Sequence, residues 1–249
     1  MGKILKWSYA LVQTAIFACI LLIMFPLIMI PASVTSEKTG GRISYFFLKI
    51  WAGMLSFFYL VWIKTTGNEN IKSDKSFVYV ANHNSFYDSV SLVWAIPGQF
   101  RPLGKIEITK APLFGRIYSK IVVTVDRNSG IDRMKSIKRL HEILKQGISI
   151  LIYPEGRMNK KGTYLNDFQD GAFAIAIESG TPIIPVAVFN TRHIMPDKAP
   201  YLLVFPGFVN IDFLQPISTE GLTKADVPVL KQKVHQIIEN HLRDHDFKL

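Results

Sequence analysis

The sequence predicts an α/β fold, a mixed sheet flanked by helices, preceded by an N-terminal two-helix hairpin that associates with a membrane. Three observations lead to this prediction. The first 65 residues are unusually apolar, short apolar runs of strand length follow, and stretches with helical periodicity separate those runs. Alternation of strands and helices is typical of α/β layer structures. We therefore expect a membrane-associated helical hairpin over 1–65 and an α/β domain over 66–249.

The first apolar segment runs from Tyr9 to Ile30 without a charged residue. As a helix it would span about 33 Å, enough for a hydrocarbon core of about 30 Å. Lys3 and Lys6 precede it, which is also the pattern of a secretion signal. The apolar run is longer than the roughly 7–15 apolar residues of a signal peptide, however, and a second apolar segment follows. We therefore favour a membrane segment over a secretion signal.

The second segment, Ile43 to Ile63, is rich in aromatic side chains and contains Lys49. Trp, Tyr and a Lys that reaches the headgroups are typical of a membrane interface. The linker 32–42 carries Gly40-Gly41, which predicts a turn. We expect a hairpin that either spans the membrane twice or lies within one leaflet, on the cytoplasmic face of the cell membrane because lysines flank it. A hairpin buried in a soluble core is the alternative.

The charge distribution indicates an anionic ligand. The net charge is +10, and residues 101–161 hold 14 Lys/Arg against five Asp/Glu. Such a surplus suits an anionic ligand together with an anionic membrane surface. Nucleic acid is not expected as a partner, because no nucleic-acid-binding motif is present. Cys19 is the only cysteine, so an intramolecular disulfide cannot form.

Short apolar runs and apolar residues at helical spacing define the elements of the α/β domain. The candidate strands are 76–81, 121–125, 148–153, 183–189 and 202–212. One helix is predicted before Gly147, through Met134, Ile137, Leu140 and Leu144. Another covers 171–179 and ends at Gly180, and Asp226 with Pro228 opens a C-terminal helix.

The first of these strands delivers a histidine to one edge of the sheet. His83 follows the strand directly after Asn82, and Asp88 stands five residues later. Ligands of α/β sheets bind beyond the carboxyl ends of strands. Histidine is suited to proton abstraction at neutral pH, and a carboxylate can orient its ring. Ser85-x-x-Asp88 also fits a capping box, which leaves a structural role for Asp88 as the alternative.

Two other chemistries are alternatives to this pair. Ser85 beside His83 is a candidate nucleophile, although no G-x-S-x-G elbow occurs. A metal site is not expected, because the sequence has no H-E-x-x-H and no cysteine pair.

The stretch N-H-N-S-F-Y-D, residues 82–88, resembles block I of the glycerolipid acyltransferases, N-H-x-S-x-x-D. Three further blocks follow in the family's order. They are similar to block II (Gly104-Lys105, Pro112, Phe114-Gly115 and Val125-Asp126-Arg127), block III (Tyr153-Pro154-Glu155-Gly156-Arg157, usually F-P-E-G-T-R) and block IV (Thr181–Val186). The resemblance covers about residues 70–190. The bacterial 1-acylglycerol-3-phosphate acyltransferases resemble the chain most in length and in their apolar N-terminus.

The resemblance implies transfer of a fatty acyl group from a thioester to the free hydroxyl of lysophosphatidate, giving phosphatidate in phospholipid biosynthesis. The donor would be acyl-CoA or acyl carrier protein, and no cofactor is implied. Glycerol-3-phosphate or a different lysophospholipid as acceptor is the alternative within this chemistry. A non-enzymatic lipid-binding membrane protein is the alternative outside it.

The resemblance also implies roles for seven residues. His83 would be the general base, oriented by Asp88. Lys105, Arg127 and Arg157 would bind the phosphate, for which cationic side chains are suited. Glu155 would accept from the acceptor's hydroxyls or hold Arg157. Gly156 would let backbone amides approach the ligand, with a plain turn as its alternative role.

Two departures from the family pattern stand out. Arg157 follows Gly156 directly, without the intervening threonine. The family's F-K-x-G-A-F reads F-Q-D-G-A-F over residues 168–173, so a lysine is lost and Asp170 is gained. This exchange removes positive charge, which argues against phosphate binding at that position.

Overall fold

The computed structural model describes residues 3–71, 75–161, 163–197 and 203–245. The strands of this part are β1 (Val61–Thr66), β2 (Val78–Ala81), β3 (Phe100–Lys105), β4 (Val123–Val125), β5 (Ser149–Ile152), β6 (Ile183–Phe189) and β7 (Gly207–Phe213). The α-helices are α1 (Lys3–Val34), α2 (Glu37–Phe58), α3 (Tyr87–Ala95), α4 (Phe114–Ile121), α5 (Gly130–Lys145), α6 (Gly171–Ser179), α7 (Thr191–Ile194) and α8 (Val227–Asp244). Short 3-10 helices cover Asn68–Asn70, Ile106–Lys110 and Lys224–Asp226.

These strands form one mixed sheet in the order β1-β7-β6-β2-β5-β3-β4. The five strands from β6 to β4 are parallel to their neighbours. β7 is antiparallel to β6, and β1 is parallel to β7. Because β6, β2, β5, β3 and β4 run in one direction, their carboxyl ends meet at the same edge, which we call the carboxyl edge of the sheet. The mixed α/β sheet that the sequence predicts is confirmed.

Helices cover both faces of the sheet. Side chains of β2 alternate, so that Val78 and Val80 face the layer of α5, α6 and α8, whereas Tyr79 and Ala81 face the layer of α1 to α4. All four of these strand residues are buried. A strand covered on both faces needs apolar side chains on both sides, which explains the unbroken run V-Y-V-A.

The N-terminal helices pack antiparallel and share a core with the sheet. The Ser44 hydroxyl donates to the carbonyl of Ile28 at 2.8 Å, and at the other end the Tyr59 hydroxyl donates to the carbonyl of Gln13 at 2.9 Å. The Gln13 amide also bonds the backbone of Val204 through both of its ends, at 2.7 and 2.8 Å. α1 is therefore attached along its length to the rest of the protein.

α1 is long and apolar enough to cross a membrane, with a mean hydropathy of 2.7 and 22% of that window buried. Its outer face exposes large apolar side chains, among them Leu11, Leu22, Ile23 and Ile30. By length and composition alone this is weak evidence for a membrane segment, because signal sequences and core helices share these properties.

Several predictions from the sequence are confirmed, and two strands were not predicted. α5 and α6 end where Gly147 and Gly180 adopt φ of 75° and 63°, and α8 begins next to Asp226, as predicted. The strand predicted over 202–212 begins at Gly207, and its first position, 202, lies outside the described residues. The segment 43–63 is not helical throughout, because α2 ends at Phe58 and β1 begins at Val61. β1 and β3 are the strands that the sequence analysis missed.

Candidate active site

A buried asparagine fixes the chain as it leaves β2. The Asn82 amide donates to the carbonyl of Val188 on β6 at 2.9 Å, and its oxygen accepts from the backbone N–H of Val188 at 2.8 Å. Asn82 is fully buried, so both bonds are shielded from water. The next residue, His83, therefore leaves the carboxyl edge of the sheet from a fixed position.

The His83 ring meets the Asp88 carboxylate. Nδ1 of His83 lies 2.8 Å from Oδ2 of Asp88, which is fully buried in the first turn of α3. The same oxygen accepts from the backbone N–H groups of Asn84 at 2.7 Å and Ser85 at 2.9 Å. Because those two amides can only donate, Asp88 Oδ2 is the acceptor, and the ring hydrogen then sits on Nδ1. Nε2 thus carries the lone pair, and Asp88 both orients the ring and caps the loop.

Tyr153 lies against the face of the His83 ring. Their centroids are 4.1 Å apart and the ring planes differ by 17°. Burial and the nearby Asp88 carboxylate raise the pKa of Tyr153 above its usual value, so the phenol stays neutral. Tyr153 has no predicted role from the sequence. The available signal was its position at the end of the predicted strand 148–153.

Glu155 holds two loops together. Its Oε1 accepts from the backbone N–H of His83 at 2.9 Å, and its Oε2 accepts from that of Asn166 at 2.8 Å. Burial raises the pKa of Glu155, although both amides oppose the rise. The side chain is buried, whereas Arg157 is exposed. Both oxygens of Glu155 thus face backbone amides, and no ion pair joins Glu155 to Arg157 in the described part of the chain.

Gly156 and Arg127 join the ends of β5 and β4. Gly156 adopts a φ of 70°, which favours glycine, and its N–H donates to the carbonyl of Tyr153 at 3.0 Å. Its carbonyl accepts from the guanidinium of Arg127. Both backbone polar groups of Gly156 thus have partners within the protein, which favours its alternative role in the turn. Partial burial lowers the pKa of Arg127, but an arginine stays cationic.

Tyr118 lies beside Gly104, near the end of β3. Its hydroxyl lies near the Lys105 backbone and the Arg127 guanidinium, and burial raises its pKa to about 12. A Cβ on Gly104 would collide with this hydroxyl, so glycine makes room for Tyr118. Lys105 is the last residue of β3 and is exposed. The structure thus brings Lys105 and Arg127 to the carboxyl edge, the edge at which His83 lies.

The structure adds a further cation to this edge. The backbone N–H of Asn159 donates to the carbonyl of His83 at 2.7 Å, and the Arg192 guanidinium donates to the carbonyl of Asn159. Arg192 lies in α7, just after β6. Arg192 was not predicted as a site residue, although it follows a predicted strand as His83 does.

Ser85 and Asp170 have partners elsewhere in the protein. The Ser85 hydroxyl is buried and donates to the carbonyl of Met195 at 2.8 Å, which argues against a nucleophilic serine. The Asp170 carboxylate lies 2.6 Å from Nζ of Lys231, so it serves an ion pair. In the described part of the chain, no group of three or more His, Cys, Asp or Glu side chains is placed to hold a metal ion.

Comparison with known proteins decides the family. A family model described as Acyltransferase matches residues 62–189, half of the chain. The chain belongs to the acyltransferase family. The matched region runs from β1 to the end of β6, so it contains the His83–Asp88 pair, the block III turn and Arg127.

Curated relatives of this acyltransferase-family chain carry a more specific name. The chloroplastic 1-acyl-sn-glycerol-3-phosphate acyltransferase LPAT1 of Arabidopsis thaliana is 32% identical over 208 residues, which are 83% of this chain and 56% of the relative. The mouse 1-acyl-sn-glycerol-3-phosphate acyltransferase alpha is 28% identical over 72% of this chain and 62% of its own length. The chain thus spans between half and two thirds of these relatives.

A solved structure shares the fold. The crystal structure of the 1-acyl-sn-glycerophosphate acyltransferase PlsC from Thermotoga maritima superposes with a TM-score of 0.81 over 100% of both chains. The sequences are 18% identical, so this likeness establishes the architecture, including the N-terminal helical region.

Proposed function

We propose that this protein transfers a fatty acyl group from an acyl thioester to the free hydroxyl of 1-acylglycerol-3-phosphate, producing phosphatidate. The observation that carries the proposal is the contact of His83 Nδ1 with Asp88 Oδ2 at the carboxyl edge of the sheet. Membership of the acyltransferase family and the names of the curated relatives support the choice of reaction and acceptor.

The mechanism uses the ring nitrogen that Asp88 leaves open. His83 Nε2 takes the proton of the acceptor hydroxyl while that oxygen attacks the thioester carbonyl. The imidazolium formed is stabilised by the buried Asp88 carboxylate. When the tetrahedral intermediate collapses, the C–S bond breaks and the leaving thiolate receives the proton from His83. The ester is formed without an acyl-enzyme, which fits the engagement of the Ser85 hydroxyl by Met195.

Cations at the same edge are suited to the acceptor phosphate. Arg127 is held beside the block III turn by Gly156, and Lys105 ends the neighbouring strand. Exposed Arg157 follows the turn directly. We assign these three side chains to phosphate binding, because guanidinium and ammonium groups form charge-assisted hydrogen bonds with phosphate oxygens. The donor thioester is acyl-CoA or acyl carrier protein.

We also propose that the exposed apolar face of α1 lies in one leaflet at the cytoplasmic surface of the membrane. Ser44 bonds α2 to α1, and Gln13 bonds α1 to Val204 of the domain, so a perpendicular span would draw the domain into the bilayer. A helix lying at the interface needs no such displacement. This placement gives the carboxyl edge access to an acceptor whose acyl tail stays in lipid.

The test is acyl transfer by the purified protein with labelled acyl thioesters and a panel of acceptors. We expect phosphatidate from lysophosphatidate, and little product from glycerol-3-phosphate or from lysophospholipids with larger headgroups. His83→Ala should abolish turnover while binding to vesicles persists. Full activity of His83→Ala would favour a different reaction centre, and absence of acyl transfer with every acceptor would favour a lipid-binding protein.

A further inference from the structure

The side chains of His83 and Tyr153 leave neighbouring strands side by side. β2 and β5 are hydrogen-bonded in register, with Val80 opposite Ile152. Tyr153 is the first residue after β5, and its hydroxyl oxygen is buried. Its ring is stacked on the His83 ring, with centroids 4.1 Å apart and an interplanar angle of 17°.

Other contacts fix the backbone of His83 and one ring nitrogen, but not the plane of the ring. The His83 N–H bonds Glu155, and its carbonyl bonds the Asn159 N–H. Among the described residues, the ring itself has one hydrogen-bond partner, Asp88 at Nδ1. A single hydrogen bond allows the ring to rock about that bond, because hydrogen-bond angles vary widely. A flat partner against the ring face removes this freedom.

We propose that Tyr153 is a positioning residue for acyl transfer. Its ring sets the plane of the His83 imidazole, so that Nε2 points toward the acceptor hydroxyl, and its π face stabilises the imidazolium formed when the proton is taken. A cation over an aromatic face is attracted by the ring quadrupole, more strongly where water is excluded. The kinetic part of this proposal rests on the proposed function, whereas the stacking does not.

The kinetic test compares two substitutions of Tyr153. Tyr153→Phe keeps the ring and should retain a kcat near that of the wild type. Tyr153→Leu keeps an apolar side chain without a π face, and we expect kcat to fall roughly 5- to 30-fold with little change in the KM for the acceptor. Tyr79→Leu, in the core on β2, is the matched control, since it lowers stability without touching His83.

A second measurement does not depend on activity. In NMR spectra of selectively labelled histidine, the His83 ring protons should be shifted upfield by the Tyr153 ring current, and the His83→Gln spectrum identifies them. Tyr153→Phe should keep this shift and Tyr153→Leu should lose it. If Tyr153→Leu does not fold, Tyr153→Met replaces it as a flexible apolar substitute.

The outcomes separate the two proposals. An unshifted His83 signal in the wild type, or a wild-type kcat in a folded variant without the ring, would overturn the role of Tyr153. Loss of kcat in Tyr153→Phe as well would also overturn it, because the hydroxyl would then be the active group. A normal ring-current pattern with no acyl transfer to any acceptor would contradict the proposed function alone.

Discussion

At Asp88, one carboxylate oxygen receives the His83 ring and the backbone N–H groups of Asn84 and Ser85. The two interpretations that the sequence leaves open, a cap for the loop and a partner for the histidine, are therefore not exclusive. The cap holds the carboxylate where the ring needs it. An amide in its place could keep an oxygen at this point, but it would carry no negative charge to stabilise the imidazolium.

We expect Asp88→Asn to lower kcat roughly 10²–10⁴-fold, the range in which positioned proton transfer contributes. A steady-state assay with lysophosphatidate measures this. The matched control is Asp212→Asn. Asp212 also lies 2.8 Å from a histidine nitrogen, but that histidine is His241 of α8 and not His83. Equal losses in the two variants would show that the effect is one of stability.

Glu155 gives a pH dependence of known sign. Its pKa lies above the ordinary 4.5, so the folded protein binds a proton there more tightly than the unfolded chain. The stability it contributes is fully present below pH 4.5 and declines as pH rises through the raised pKa.

We therefore expect the free energy of unfolding of wild type, relative to Glu155→Gln, to fall as the pH rises above about 4.5 and through the raised pKa. Thermal or urea unfolding across this range measures it. Glu220→Gln, an exposed substitution, should follow wild type. A wild-type advantage that grows with pH would contradict the sign.

Among the elements, whether a strand could be predicted from the sequence depended on its amino-acid composition. β2, β5 and β6 are runs of β-branched and apolar residues, and their prediction is confirmed. β3 contains Pro102 and Gly104, which normally argue against an inner strand, although β5 and β4 flank it. In β1, buried or half-buried residues alternate with exposed ones from Val61 onward. The strand directly follows an aromatic helix, so its apolar residues could not be told apart from those of the helix in the sequence.

The contact of Gly104 with Tyr118 predicts a steric cost. We expect Gly104→Ala to lower the free energy of unfolding by about 1–3 kcal/mol, because the new methyl group meets Tyr118 and Val122. Adding Tyr118→Phe should recover part of the loss by removing the nearest atom. Gly171→Ala, at the start of α6 with open space around it, is the control. Urea unfolding compares the variants, and equal stabilities of Gly104→Ala and Gly171→Ala would refute the close contact.

At the scale of the whole molecule, the N-terminal helices and the sheet form one apolar core. Met24 and Ile28 of α1 belong to the same cluster as Leu92 of α3 and Leu151 of β5. The exposed apolar face of α1 lies on this side of the sheet, whereas α5 lies on the other. The two sides of the protein therefore differ in the surface they offer to lipid.

We expect the double variant Leu11→Glu, Leu22→Glu to reduce flotation with anionic phospholipid vesicles more than tenfold. Both positions are exposed on one face of α1, and each change removes an apolar contribution of about 1.5–3 kcal/mol and adds a charge. Ile131→Glu with Met134→Glu, at exposed positions of α5, should leave flotation unchanged. Equal losses in both double variants would argue against a bilayer on the α1 side.

Only part of the candidate site could be predicted from the sequence. His83 and Asp88 could be predicted as a pair, because they are only five positions apart in the sequence. The bonds of Glu155 to His83 and of Arg192 to Asn159 join residues 72 and 33 positions apart, and they arise only from the arrangement of strands. The residue types showed that Glu155 and Arg192 could carry a charge, but they did not show which groups these side chains would contact.

The pairing of β1 with β7 has a consequence for biosynthesis. Thr66 contacts Asp212 across 146 positions, so β1 has no partner strand until β7 has been synthesised. Non-local pairing of this kind slows folding and leaves an uncovered edge in the meantime. Early insertion of the nascent N-terminal helices into lipid would shelter that edge, and a chain started at residue 66 would keep only Thr66 of β1.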